Sequence, residues 1–474
     1  MCLLGKLRRP LFAAVIVLAA VAVACSSTAG PVLRATAAVA AAEPQATTTP
    51  TATVPPPEPT STPSAGTSTG QAAAAPGTTS QFEPVADAEG VLARLTDTAW
   101  GLLEFLTRQL SPRESATDEE RAAADFLMSE FEALGMQTRL QPFTVELLSR
   151  DVPALSIKGP EPLRFDGFPM RFAARGRVTG VLEDVGLAFD VDPEKVNGKI
   201  ALIERGTLTF ESKVRRVEEA GAIAAVVYNN EPGAFSGRLM RESSIPSISI
   251  SQENGEAIKA LMAAGDVTAT VSIVFETANS RNVIAEMSGN SSGGRVVVLG
   301  AHYDTVPDIQ GANDNGSGVA TLMTVAREVA GKSFPFDLRF VLFGSEEVGL
   351  FGSRHFVDGL SQAERESVVA MLNFDVTGTG EFPEVIGSRS LVEAAVAHGA
   401  ANGIEVHRGV LLEGASSDHA PFRDIGIPVA FFLADDQALS HTPADTIESV
   451  RPELLGIASF LGLRVLDTLA DRFR

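Results

Sequence analysis

Val296-Val297-Val298-Leu299-Gly300-Ala301-His302-Tyr303-Asp304, followed closely by Gly311-Ala312-Asn313-Asp314-Asn315-Gly316-Ser317-Gly318, is the most informative stretch of this chain. An apolar run ends at an imidazole and a carboxylate, as a buried strand does when it delivers polar groups to its carboxyl end. Asp314 then stands in a loop of small and amide residues, just before a helical pattern over 317–330. Taken singly, Asp314 reads as a cap for that helix. Two neighbouring asparagines and three glycines ask for a tighter backbone than a cap needs.

The same arrangement recurs on either side. Apolar runs predict strands at 283–287, 296–301, 338–343, 368–374 and 429–433, and periodic segments predict helices at 317–330, 352–358, 390–402 and 452–473. This alternation predicts an α/β fold, a mostly parallel mixed sheet with helices on both faces. Glu346-Glu347 follow one strand run, Asp375 follows another directly, and His441 lies in the loop after a third. Ligands in such sheets bind beyond the carboxyl ends of the strands, so four strand ends supply candidates to one edge.

Each candidate has its own chemistry. Asp304, two residues past His302, is placed to orient the imidazole. Adjacent carboxylates at Glu346 and Glu347 repel unless a cation or proton separates their roles. One can bind metal while the other takes a proton from water. Asp375, directly after an apolar strand, needs a metal or a hydrogen-bonding partner. His441 has Asp445 four residues on as a partner for its ring. Two histidines, several carboxylates and no cysteine in reach form a hard-to-borderline donor set that suits one or two zinc ions.

The chain has 474 residues, room for two domains and more, and 45% apolar residues supply a large core. The net charge of −21 excludes nucleic acid as a partner. There are two cysteines, Cys2 and Cys25. Residues 1–25 carry Lys6, Arg8 and Arg9, then an apolar stretch too short to span a membrane, and read as a signal peptide. Ala22-Val23-Ala24-Cys25 resembles the lipobox of bacterial lipoproteins. That resemblance implies an extracytoplasmic, membrane-tethered protein anchored through a lipid on Cys25; plain secretion is the alternative. Residues 26–84, rich in Ala, Thr, Pro and Ser, read as a disordered linker.

Order is expected from Val85. A helix is predicted over 92–110, broken at Ser111-Pro112-Arg113, and a second over 122–134 after a capping box of Thr117 and Glu120. A strand over 138–145 completes a first part of the main domain, 85–147. From 148 to 277 short β-type runs separated by Gly, Pro and Asp form a β-rich insert without clustered His and carboxylate. The main domain resumes over 278–474.

Gly198-Lys199-Ile200-Ala201-Leu202-Ile203-Glu204-Arg205-Gly206, Ala220-Gly221-Ala222, Val226-Val227-Tyr228-Asn229 and Ile245-Pro246-Ser247-Ile248 resemble the protease-associated (PA) domain. Such domains are inserted in, or appended to, secreted proteases. Five blocks in the rest occur in the order of the dinuclear zinc exopeptidases, the family of bacterial secreted aminopeptidases and aminopeptidase Y. These are His302-Tyr303-Asp304, Gly311–Gly318, Glu346-Glu347-Val348-Gly349-Leu350, Asn373-Phe374-Asp375 and His441-Thr442-Pro443. The resemblance implies the zinc exopeptidase fold and two Zn2+ per chain. His302 and Asp375 would hold one, Glu347 and His441 the other, with Asp314 bridging and a cis peptide after it.

It also implies aminopeptidase action at free peptide or protein N-termini, with a metal-bridging water activated by Glu346. A carboxypeptidase-like or other amide hydrolase is the alternative enzyme, with Arg354 and Arg423 as candidates for a basic pocket. A non-catalytic, receptor-like peptide-binding protein is the third reading. Well-known members place an oxyanion-assisting tyrosine where this chain has Ser440 or Ser416; its two tyrosines are Tyr228 and Tyr303. His419 is the substitute considered for that role.

Overall fold

The computed structural model describes residues 84–159, 162–290, 293–411 and 415–474. The expected signal peptide and all of the expected linker before residue 84 lie outside them. Among the described residues no helix is long and apolar enough to cross a membrane.

Strand β1 (Gln137–Leu148) leads into an insert built on β2 (Leu155–Ile157), β3 (Leu163–Phe165), β4 (Phe168–Pro169), β5 (Gly176–Asp184), β6 (Ile200–Glu204), β7 (Ala224–Tyr228), β8 (Ser247–Ile250) and β9 (Thr268–Ile273). The chain returns along β10 (Phe275–Met287) and continues through β11 (Val296–His302), β12 (Asp337–Phe343), β13 (Val368–Phe374), β14 (Pro383–Gly387), β15 (His407–Arg408) and β16 (Val429–Ala434). The main sheet has the order β1-β10-β12-β11-β13-β16-β14-β15, and the insert forms its own sheet, β3-β2-β9-β5-β6-β7-β8-β4.

In the main sheet, β12, β11, β13 and β16 are successive parallel neighbours. Strands covered on both faces read as continuous apolar runs, which is why these four were visible in the sequence. Along β11, Val297, Leu299 and Ala301 face one core with the helices Ala88–Gln109, Gly318–Val329 and Pro452–Phe473. Val296 and Val298 face a second core with Phe343, Phe356, Met371 and Phe422. On that second face a Cβ at Gly300 would lie 2.6 Å from the Phe343 ring, so glycine there lets the ring lie against the strand.

Three expectations changed. Strand β10 is longer than its apolar part, because 275–282 pair with β1 in a ladder that ends at Leu148 opposite Phe275. Strands β14 and β15, too short to show periodicity, were not expected. The helix Asp118–Ala133 is capped by Thr117, whose Oγ1 accepts from the Glu120 amide at 3.2 Å. The Glu120 carboxylate, however, accepts from the Ala116 amide at 2.8 Å instead of closing the box.

Leu299 has no exposed surface in the central strand of the main core. Leu299→Ala is expected to lower unfolding free energy by about 2–5 kcal/mol in a urea titration, the range for a cavity in a packed core. A loss below about 1 kcal/mol would mean that β11 is not where the core is tightest.

Candidate metal centre

The parallel register aligns the carboxyl ends of β12, β11, β13 and β16, and the loops leaving them carry the candidate residues. His302 is the last residue of β11, and Asp375 immediately follows β13. Glu346-Glu347 lie in the turn after β12, and His441 lies between β16 and the C-terminal helix.

The structure brings five of these side chains together. His302 Nε2 lies 3.3 Å from Asp314 Oδ1 and 3.3 Å from Asp375 Oδ1. His441 Nε2 lies 3.2 Å from Asp314 Oδ2 and 3.0 Å from Glu347 Oε2. Asp314 thus turns one oxygen to each imidazole. Glu346 joins from the side, with a carboxylate oxygen within 4.8 Å of donor atoms of His302 and Asp375. The peptide after Asp314 is cis.

The donor set fits zinc. Tetrahedral zinc with bonds of about 2.0–2.2 Å holds its donor atoms roughly 3.3–3.6 Å apart, close to the spacing found. The buried Glu347 Oε1 has no hydrogen-bond partner. Burial, with Asp314 next, pushes the Glu347 carboxyl up to about 7 against its hydrogen bond from His441. Burial also drives Glu346 well above the ordinary carboxylate value, with Asp418, Glu347 and Asp375 adding to it against His302. Burial opposes charge on His302, but Asp375 and its acidic neighbours hold its imidazole well above the usual range. Acids crowded in this way lack positive charge, which divalent cations supply.

The supporting residues are as specific. Asp304 is fully buried and accepts from the Glu346 amide at 3.0 Å, the Glu347 amide at 3.3 Å and Ser115 Oγ at 2.7 Å. Its Oδ1 is 3.6 Å from His302 Nδ1, so its main work is to tie the Glu346-Glu347 turn to the end of β11. Asp445 does not partner His441 as its sequence position suggested. Its carboxylate accepts from the Asn313 amide at 2.7 Å and the Asp314 amide at 3.0 Å, fixing the loop that presents Asp314. Backbone amides exposed by the tight loop are better partners than a ring whose side chain is 57% exposed.

His419 packs its ring flat on Phe431, centroids 4.6 Å apart, and neither ring nitrogen has a hydrogen-bond partner. Burial, with Arg423 next, lowers its pKa to about 4, so it is a neutral packing residue. Ser416 is exposed, while Ser440 keeps a buried hydroxyl without a partner. Arg423 is spent on its exposed neighbour Asp424 at 2.8 Å, and Arg354 is exposed. Neither forms the basic pocket that a carboxypeptidase reading needs.

Sequence reasoning missed Ser417, whose Oγ donates to Asp375 Oδ2 at 2.7 Å while accepting from Asn373 Nδ2 at 2.9 Å. This leaves Asp375 Oδ1 for the centre. Part of the signal was present, since Asn373 sits inside the block that ends at Asp375 and Ser417 lies two residues before His419.

The model of peptidase family M28 matches residues 282–465, and that of the PA domain matches 174–258. Aminopeptidase YwaD of Bacillus subtilis (strain 168) is 32% identical over 388 residues, covering 75% of this chain and 81% of that protein. The chain belongs to peptidase family M28. Among solved structures, this M28 chain is similar to BSAP, a zinc aminopeptidase from Bacillus subtilis, with a TM-score of 0.66 and 27% identity over 79% of this chain and 95% of the other. It is also similar to an aminopeptidase from Aneurinibacillus sp. strain AM-1, with a TM-score of 0.61 and 29% identity over 80% and 95%.

Asp445 and Ser417 touch this M28 centre only through other residues. Asp445→Asn and Ser417→Ala are each expected to weaken zinc binding about ten- to a hundredfold, the usual cost of losing a group that orients a metal ligand. Chelator competition on the stripped protein measures it. Unchanged affinity in both would remove their supporting role.

Proposed function

We propose that this chain is a zinc-dependent aminopeptidase that releases residues from the free N-termini of peptides. The observation that carries the reading is Asp314, with one oxygen toward His302 and the other toward His441. His302, Asp314 and Asp375 would hold one zinc, and His441, Asp314 and Glu347 the other. Bound zinc would supply Lewis acidity at the scissile carbonyl and acidify the attacking water.

The side chains do the rest. Glu346, free of any role in holding the backbone, takes a proton from the attacking water at its carboxylate and returns it to the departing amine nitrogen. Asp304 keeps that carboxylate aimed by holding its backbone amide. Three ligand carboxylates against two dications leave the centre about one positive charge, and Glu346 balances it. The aminopeptidase names of the relatives support action at the N-terminus.

Residues 1–25 lie outside the described residues, and their sequence supports anchoring through a lipid on Cys25, outside the cytoplasm. The PA domain is then held on the same outer side as the substrate.

Glu346→Gln should keep both zinc ions and lose about 10²–10⁴-fold in kcat on aminoacyl-anilides. Asp314→Asn should lose zinc itself, and wild-type activity should vanish with a chelator and spare N-blocked peptides throughout. Full activity of Glu346→Gln would remove the general-base assignment; cleavage of N-blocked substrates would remove the aminopeptidase reading. For the anchor, Cys25→Ser should abolish incorporation of labelled fatty acid and release the protein from the membrane fraction. A chain that stays attached without it is held by something else.

A further inference from the structure

Arg113 is the largest fully buried side chain in the molecule among the described residues, and nothing so far has used it. It lies just after the cis Ser111-Pro112 peptide, where the sequence reads only as a break between two helices. Its guanidinium donates through Nε to the Tyr303 carbonyl at 2.7 Å and through Nη2 to the Gly311 carbonyl at 2.9 Å. Tyr303 directly follows His302, and Gly311 precedes Asp314 by three residues. One planar group therefore grips both ends of the loop that joins the two most central donors of the site.

The surroundings reinforce the grip. The Arg113 amide donates to Thr305 Oγ1 at 3.1 Å, and its carbonyl accepts from the Thr305 amide at 3.1 Å. Ser111 Oγ donates to the Gln310 carbonyl at 2.8 Å, so the segment before and at Arg113 runs along the same loop. The Gly311 carbonyl also accepts from the Gly316 amide at 3.0 Å, which carries the hold past Asp314. Asp304, Asp445 and Asp314 are the acids whose charge reaches the guanidinium. Burial lowers its pKa only to about 10, so it stays charged at neutral pH.

We infer that Arg113 is a positioning residue that sets the spacing of His302 and Asp314 by clamping both ends of their connecting loop. The inference rests on the metal-centre reading above. A planar fork with donors at two fixed positions can span two carbonyls, whereas the point charge of a lysine cannot hold both in one geometry. The clamp comes from the segment before the PA insert, so the first part of the catalytic domain contributes to the centre without supplying a ligand.

The test uses the whole chain as wild type, Arg113→Lys and Arg113→Met, each stripped of metal. Three quantities are measured: thermal unfolding of the stripped protein, zinc affinity by competition with a chromophoric chelator, and kcat and KM against zinc concentration. Both variants are expected to fold and to bind zinc about ten- to a hundredfold more weakly. Their kcat should return toward wild type as zinc is raised, with KM little changed. A purely structural role would lower the unfolding temperature and leave the affinity of the folded protein intact, which overturns the inference. Full rescue by lysine also overturns it, because charge without the fork would suffice. Failure of both variants to fold overturns it as well, because Arg113 would then serve the fold rather than the ligand spacing. Absence of zinc binding by the wild type would instead overturn the metal-centre reading itself, whatever the variants do.

Discussion

Asp314 turns its two carboxylate oxygens toward different imidazoles, 3.3 Å from His302 and 3.2 Å from His441, and the site is organised around that divergence. A carboxylate can face two partners in this way only if the backbone beneath it is fixed in both position and direction. The carboxylate of Asp445 supplies the direction by accepting from two successive amides of the loop. Gly318 supplies the position: a Cβ there would lie 2.2 Å from the Phe374 carbonyl, so the helix start can press against β13 only with glycine. The result places the loop of one strand against the end of its neighbour, where Asp375 emerges.

The charge arrangement follows from the same crowding. Seven acids, Asp304, Asp314, Glu346, Glu347, Asp375, Asp418 and Asp445, gather at one sheet edge, most of them buried. Asp304 and Asp445 are satisfied by backbone amides and a hydroxyl, and Arg113 sits among them as a fixed cation. Glu346 and Glu347 have no such compensation, and burial raises both. Of these two, Glu347 faces the imidazole of His441 and Glu346 lies near His302 and Asp375.

Much of this was legible in the sequence because parallel strands buried on both faces cannot alternate. Val296–Ala301 and Val368–Leu372 appear as continuous apolar runs, and the polar residues that follow each one, His302 in the first and Asn373 and Asp375 in the second, are conspicuous. What stayed hidden had no local signature. Phe275-Glu276-Thr277-Ala278-Asn279 carries no apolar run and is a strand because β1 pairs with it. Asp445 looked like the partner of His441 because the two are close in sequence, yet its carboxylate found amides 131 and 132 positions away. Arg113 looked like punctuation between helices, and its contacts lie 190 and 198 residues downstream. Long-range satisfaction of buried polar groups leaves no periodicity to read.

The ribbon of β1 and β10 sets how the two sheets meet. Residues 283–287 of β10 pair with β12, but 275–282 pair only with β1 and run on past Leu342, beyond the carboxyl edge of the main sheet. At about 3.4 Å per residue this is a two-stranded arm of roughly 25 Å reaching out on the active-site side. Its tip is Leu148 opposite Phe275, where the chain leaves for the insert and returns from it. A whole folded unit stands there at little cost in chain entropy, since the two attachment points are already neighbours. Two strands locked by a ladder cannot swivel as one flexible tether can. The unit is therefore carried at the end of a paired ribbon whose direction is set by the main sheet.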